Sequence, residues 1–86
     1  SLNGYKIITK LRPLNKKGGG VAIYISEKYD YKINEEIMNL KLHSIEAVAA
    51  NIIINNTNLT LTSIYRPPGT NLTNTLDDID KILIRL

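Results

Sequence analysis

The stretch SIEAVAANIIINNTNLTLTSIY, running from Ser44 to Tyr65, decides the fold class. Ser44 to Ile54 and Leu59 to Tyr65 are both rich in β-branched and aliphatic residues, and Asn55-Asn56-Thr57-Asn58 separates them. A four-residue polar turn between two such runs predicts a β-hairpin. In the second run Thr60 and Thr62 alternate with Leu59 and Leu61, the pattern of a strand covered on one face only. Glu46 is a lone acid inside the first run. Burial of an unpaired carboxylate is costly, so it either faces solvent or meets a base such as Arg66 across the hairpin. Arg66-Pro67-Pro68-Gly69-Thr70 then halts the second strand, because consecutive prolines remove donors and fix φ.

Downstream, Leu72, Leu76, Ile79, Leu83 and Leu86 recur at helical spacing and predict one apolar stripe on a C-terminal helix. Thr75 followed three residues later by Asp78 resembles a capping box with Asp in place of Glu. That reading puts Asp77 and Asp78 in the first turn and Arg85 near the end, as the helix dipole favours. Upstream, Val21 to Ile25 is a short, continuous apolar run and predicts a strand covered on both faces. Tyr5 to Lys10 reads as a strand entering the loop Arg12 to Gly20, where Pro13 and three glycines exclude a central ladder. Tyr29 to Asn34 has the character of a further short strand, and Glu35 to Leu42 is mixed. The pattern is α/β, mainly extended, with a C-terminal helix.

The chain has 86 residues, 43% of them hydrophobic and 22% charged, and no cysteine. A disulfide framework, a thiolate zinc site and a catalytic thiol are therefore excluded. No apolar run approaches the length of a membrane span, and no segment has the form of a signal peptide. The net charge of +3 is unevenly spread. Ser1 to Ser26 carries Lys6, Lys10, Arg12, Lys16 and Lys17 without an acid, whereas acids outnumber bases from Ser44 onward. A one-sided basic stretch fits contact with polyanions, and lysines guarding a strand edge look the same.

Candidate chemistry is sparse. Gly18-Gly19-Gly20 could cradle a phosphate, with Lys16 and Lys17 beside it, but it lacks the Lys-Ser/Thr of a P-loop and precedes a strand. A flexible turn is the simpler explanation of it. His43 is the only histidine and reads as a surface or boundary residue, since adjacent Ser44 points to the opposite side of a strand. Three sequons, at Asn55, Asn58 and Asn71, matter only in a secreted protein. Tyr65 ends its strand just before a rigid turn, where its phenol can donate to a phosphate oxygen while Arg66 adds charge. An aromatic that merely covers the sheet rim would look alike.

Three motifs together carry a resemblance. Gly-Gly-Gly-Val-Ala-Ile-Tyr-Ile at Gly18–Ile25, Ser-Ile-Glu-Ala-Val-Ala at Ser44–Ala49 and Leu-Thr-Ser-Ile-Tyr-Arg-Pro-Pro at Leu61–Pro68 resemble the central part of the endonuclease/exonuclease/phosphatase (DNase I-like) superfamily. The likeness is strongest to the apurinic-type endonuclease domain of non-LTR retrotransposon (LINE and jockey-like) reverse transcriptase polyproteins. The resemblance implies a two-sheet α/β sandwich and a magnesium-dependent phosphodiesterase that nicks DNA, nuclear in its setting, with DNA as partner and neither membrane nor small-molecule cofactor. It places Tyr65 on the family's active-site tyrosine, and Lys16, Lys17 and Gly18 in a loop that contacts the DNA backbone.

The family's tyrosine-x-Pro-Asn stands here as Tyr65-Arg66-Pro67-Pro68, without the Asn. Its first-strand Asn, metal-binding Glu, Asp-x-Asn and terminal Asp-His pair have no counterparts. The expectation is that residues 1–86 form a partial domain, with its N- and C-terminal parts and its metal ligands missing, and that this chain alone does not cut DNA. Two alternatives stay open: a phosphoesterase of the same fold acting on a non-nucleic-acid substrate, and a non-catalytic remnant of a degenerate element.

Overall fold

The computed structural model of the chain describes residues 3–10 and 20–86. Its elements run β1 (Tyr5–Lys10), β2 (Val21–Ser26), β3 (Asp30–Ile33), α1 (Glu35–Met38), β4 (Glu46–Ile54), β5 (Thr57–Tyr65) and α2 (Leu72–Leu83). Strands β1 and β2 form an antiparallel pair, and β3, β4 and β5 form a second antiparallel sheet in that order. The protein is a small α/β structure, mostly antiparallel strands in two sheets, with a C-terminal helix.

The two sheets face each other through Ile8 of β1, Val21, Ile23 and Ile25 of β2, and Val48, Ala50 and Ile52 of β4, all buried. The opposite face of β4 presents Ala47 and Ala49 to Ile37 of α1, Ile45 and Ile82 of α2. Strand β4 is therefore covered on both sides, which is why its sequence is nearly continuous in apolar residues. The expectation that β2 is covered on both faces is not met. Val21, Ile23 and Ile25 are buried while Ala22 and Tyr24 are exposed, because nothing among the described residues covers the outer face of the β1–β2 pair. Ala22 and Tyr24 made a half-covered strand look like a fully covered one.

The hairpin is tighter than its sequence suggests. Ile54 pairs with Thr57, so the turn is Asn55-Asn56 alone, and both asparagines have positive φ, 49° and 62°. That is the backbone of a two-residue type I′ turn, whose twist matches that of the strands, and asparagine is among the residues that adopt it at least cost. Thr57 and Asn58 belong to β5. Replacing Asn56 by Ala is expected to lower stability by about 1 kcal/mol and replacing it by Gly to leave it unchanged or raised, both read from urea unfolding.

The mixed segment after β3 resolves into the single turn α1. Asn34 caps it, its Oδ1 accepting from the Ile37 amide at 3.0 Å, and Ile37 is fully buried beneath it. Helix α2 starts earlier than the Thr75–Asp78 pattern implies. Its N-cap is Asn71, whose Oδ1 accepts from the Asn74 amide at 3.2 Å, and its first turn carries no acid. Nor does the leucine stripe face the core. Leu72, Leu76, Leu83 and Leu86 are exposed, and the buried positions are Thr75, Asp78 and Ile82, with Ile79 packed partly against the core. The cause is Asp78, which is drawn inward by hydrogen bonds and turns the helix with it.

Candidate functional site

Tyr65 and Glu46 stand directly opposite each other, at the last residue of β5 and the first of β4. They share the face of the hairpin that carries Val48, Ala50 and Ile52, and lie at its open end. With nine residues per strand, that end is about 30 Å from the Asn55-Asn56 turn. Tyr65 is 39% exposed and Glu46 half-buried, so a phenol and a carboxylate share one accessible rim.

The Pro67-Pro68-Gly69 turn fixes the path of the backbone beyond Tyr65. Gly69 has φ +80°, a conformation that side chains resist, and Thr70 Oγ1 donates to the Pro67 carbonyl at 3.1 Å. Arg66 folds back onto the same turn: Nε donates to Thr70 Oγ1 at 2.9 Å and a terminal nitrogen to the Thr70 carbonyl at 3.0 Å. Arg66 is exposed and follows Tyr65 directly in the chain. The contacts described for Arg66 lie within its own turn, and Glu46 is half-buried at the rim.

Residues 43–45, which lead into β4, are held by one carboxylate. Asp78, with no exposed surface, accepts from the amides of His43 at 2.9 Å, Ser44 at 2.7 Å and Ile45 at 3.1 Å, and from the Ser44 hydroxyl at 3.0 Å. Thr75 Oγ1 lies 3.3 Å from Ser44 Oγ, and Lys81 Nζ reaches 4.0 Å from the carboxylate while donating to the Lys41 carbonyl. Burial alone pushes the Asp78 carboxyl up and is the largest single influence. The amide bonds from His43, Ser44 and Ile45 and the Ser44 hydroxyl together outweigh it, and the group stays below the usual aspartate value of 3.8. The clamp fixes the residue next to Glu46, and so positions the Glu46–Tyr65 rim relative to α2. Its sequence signal was an acid at the same helical face as Thr75 and Ile82, which the leucine stripe obscured.

Of the residues singled out from sequence, Tyr65 and Arg66 adjoin at the rim, whereas Lys16, Lys17 and Gly18 lie outside the described residues. His43 is exposed, as expected of a boundary residue, and contributes its backbone amide rather than its imidazole. Among the described residues no group of three histidines, cysteines or acids is placed to hold a metal ion, and Glu46 is the carboxylate paired with Tyr65 across the hairpin. Among the described residues, too, no helix is long and apolar enough to cross a membrane. Comparison with protein families, with curated proteins and with solved structures returns no match.

Proposed function

We propose that the chain is the central part of a metal-dependent phosphodiesterase domain of the endonuclease/exonuclease/phosphatase type, belonging to the DNA-nicking endonuclease of a non-LTR retrotransposon reverse transcriptase polyprotein that acts in the nucleus. The observation that carries this reading is the rim itself: an accessible tyrosine at the end of a central hairpin strand, held by a Pro-Pro-Gly turn, with an arginine at its side. Two facing sheets of antiparallel strands with a helix on the outer face agree with the DNase I-like sandwich that the sequence motifs resemble.

In this reading the Tyr65 hydroxyl donates to a non-bridging oxygen of the scissile phosphate, and Arg66 raises the local positive potential. Such donors stabilise charge that grows on the phosphate in the transition state. The described residues do not by themselves fit a magnesium site, so the metal would be held by other parts of the domain. The basic segment around Lys16 and Lys17 supplies affinity for the backbone rather than chemistry.

A binding titration tests the DNA part of this reading. Affinity of the chain for duplex DNA is expected to fall with salt, and changing Lys16 and Lys17 together to Ala to lower the slope of log K against log salt by about 2. Affinity that ignores salt, or equal binding of an inositol phosphate in place of DNA, counts against a nucleic-acid substrate.

A further inference from the structure

We propose that Met38 is a reversible oxidation site. Conversion of its thioether to the sulfoxide by a peroxide takes away the acceptor of a core amide in β4 and loosens the joint between the two sheets, and reduction restores both. The inference is independent of the phosphodiesterase reading and rests on hydrogen bonds among the described residues.

The joint arises where β3 stops. Strand β3 pairs with β4 as far as Ile33 opposite Ala50, so the next pair in that register is Asn34 with Ala49. In a hydrogen-bonded antiparallel pair the two residues exchange both backbone bonds. One half of that exchange is kept, the Asn34 amide donating to the Ala49 carbonyl at 3.0 Å. The Asn34 carbonyl has turned into α1, where it accepts from the Met38 amide at 3.0 Å, because Asn34 is the N-cap of that turn. The Ala49 amide, on a residue with no exposed surface, therefore needs another acceptor, and Met38 Sδ lies 3.4 Å from it. A thioether sulfur stands in the place of a ladder carbonyl.

Met38 is also where the two sheets are tied. Its carbonyl accepts from Lys10 Nζ at 2.9 Å, and Lys10 is the last residue of β1, in the other sheet. Its side chain packs against the inter-sheet core. Amide, carbonyl and sulfur of one residue thus join α1, β1 and β4. A methionine that only filled a gap in the core would make the packing contact without the amide bond.

The sulfur is within reach of a small oxidant. Met38 is half-buried, and α1 is a single turn of four residues, too short to be stable except through its tertiary contacts. Local opening of such a turn does not require global unfolding. In the reaction a sulfur lone pair attacks one oxygen of hydrogen peroxide, the O–O bond breaks, and the other oxygen leaves as water after proton transfer. Sulfur is oxidised to the sulfoxide and peroxide oxygen is reduced. Methionine sulfoxide reductases reverse the change, removing the oxygen as water with a dithiol as electron donor.

The oxidised side chain does not fit the joint. An amide bond to oxygen sets N and O about 2.9 Å apart, and 3.4 Å between Ala49 N and Sδ leaves no room for an oxygen bonded to that sulfur. Either the sulfur withdraws to admit the oxygen, or the oxygen points elsewhere and the Ala49 amide loses its acceptor. Both weaken the attachment of α1 to β4, and a polar sulfoxide is poorly suited to the apolar core that Met38 touches.

The chain has one methionine and no cysteine, so oxidation at sulfur reports on Met38 alone. Dilute hydrogen peroxide under folding conditions is expected to add one oxygen at Met38, read by peptide mass spectrometry. The unfolding equilibrium constant should rise roughly tenfold and the thermal midpoint fall by about 5–10 °C. Hydrogen exchange at the Ala49 amide should accelerate by a larger factor than at Val48, which pairs with Ser63 of β5. Sulfoxide reductases for both epimers should return the midpoint and the exchange rates to their starting values. Met38→Leu should be indifferent to peroxide, and if that variant fails to fold, recovery on reduction serves as the control. Resistance of the folded chain to peroxide, a sulfoxide with unchanged midpoint and Ala49 exchange, or a loss that reduction does not reverse overturns the inference.

Discussion

Replacing Asp78 by Ala is expected to destabilise the protein by about 3–4 kcal/mol, several times the loss expected at the Asn56 turn. The carboxylate accepts from four donors, three of them consecutive backbone amides, and has no exposed surface. Truncation leaves those amides without their acceptor, and each orphaned donor in a shielded site is costly. A chain of this length has a total stability of about 4–13 kcal/mol, so the variant sits near the edge of folding. Its thermal midpoint should fall by roughly 15–25 °C.

The same group sets the acid limit. Because the folded carboxyl lies below its ordinary value, the stabilisation is fully present above the unfolded value of 3.8 and is lost as pH drops through the folded one. Unfolding free energy should therefore be flat from neutral pH down to about 5 and decline below about 4, and Asp78→Asn should flatten that decline. An Asp78→Ala variant with a wild-type midpoint, or an acid limb unchanged in Asp78→Asn, would show that the clamp carries no weight.

The fold is legible in the sequence wherever local preference and tertiary packing agree. The hairpin is readable because β4 and β5 satisfy strand preference on their own and Asn-Asn marks the reversal. The length of its turn is not, since Thr57 and Asn58 look like turn residues until the pairing of Ile54 with Thr57 is seen. The helix is readable from its period, but not its orientation. Leucine spacing identifies an apolar flank without saying what covers it, and Asp78 faces inward only because three amides of a loop more than thirty residues away converge on it. Strand β2 misleads for a related reason, as its exposed Ala22 and Tyr24 belong to residue types common in cores. Tyr65 is marked by its place before a Pro-Pro turn, and the structure adds its register opposite Glu46 and the turn closed by Arg66 and Thr70.

The second large effect concerns Tyr65. If its hydroxyl donates to the scissile phosphate, removing that one donor should lower the rate by about 10²–10³, the range found when a single oxyanion donor is deleted. Fold should be retained, because Tyr65→Phe keeps the aromatic ring at the rim of the sheet. The Asp78 clamp enters indirectly, by holding Ile45 and hence the start of β4 against α2. A disturbed clamp should therefore lower nicking together with stability, whereas Tyr65→Phe should lower nicking alone.

The most direct measurement is nicking of supercoiled plasmid in magnesium, comparing this chain alone, the product of the reading frame that contains it, and that product with Tyr65→Phe. The expected result is no nicking by the 86-residue chain, metal-dependent nicking by the longer product, and a loss of about 10²–10³ in rate for Tyr65→Phe. Nicking that is indifferent to Tyr65→Phe, or a longer product that binds DNA and never cuts it, would contradict the assignment of Tyr65 to a phosphodiesterase site.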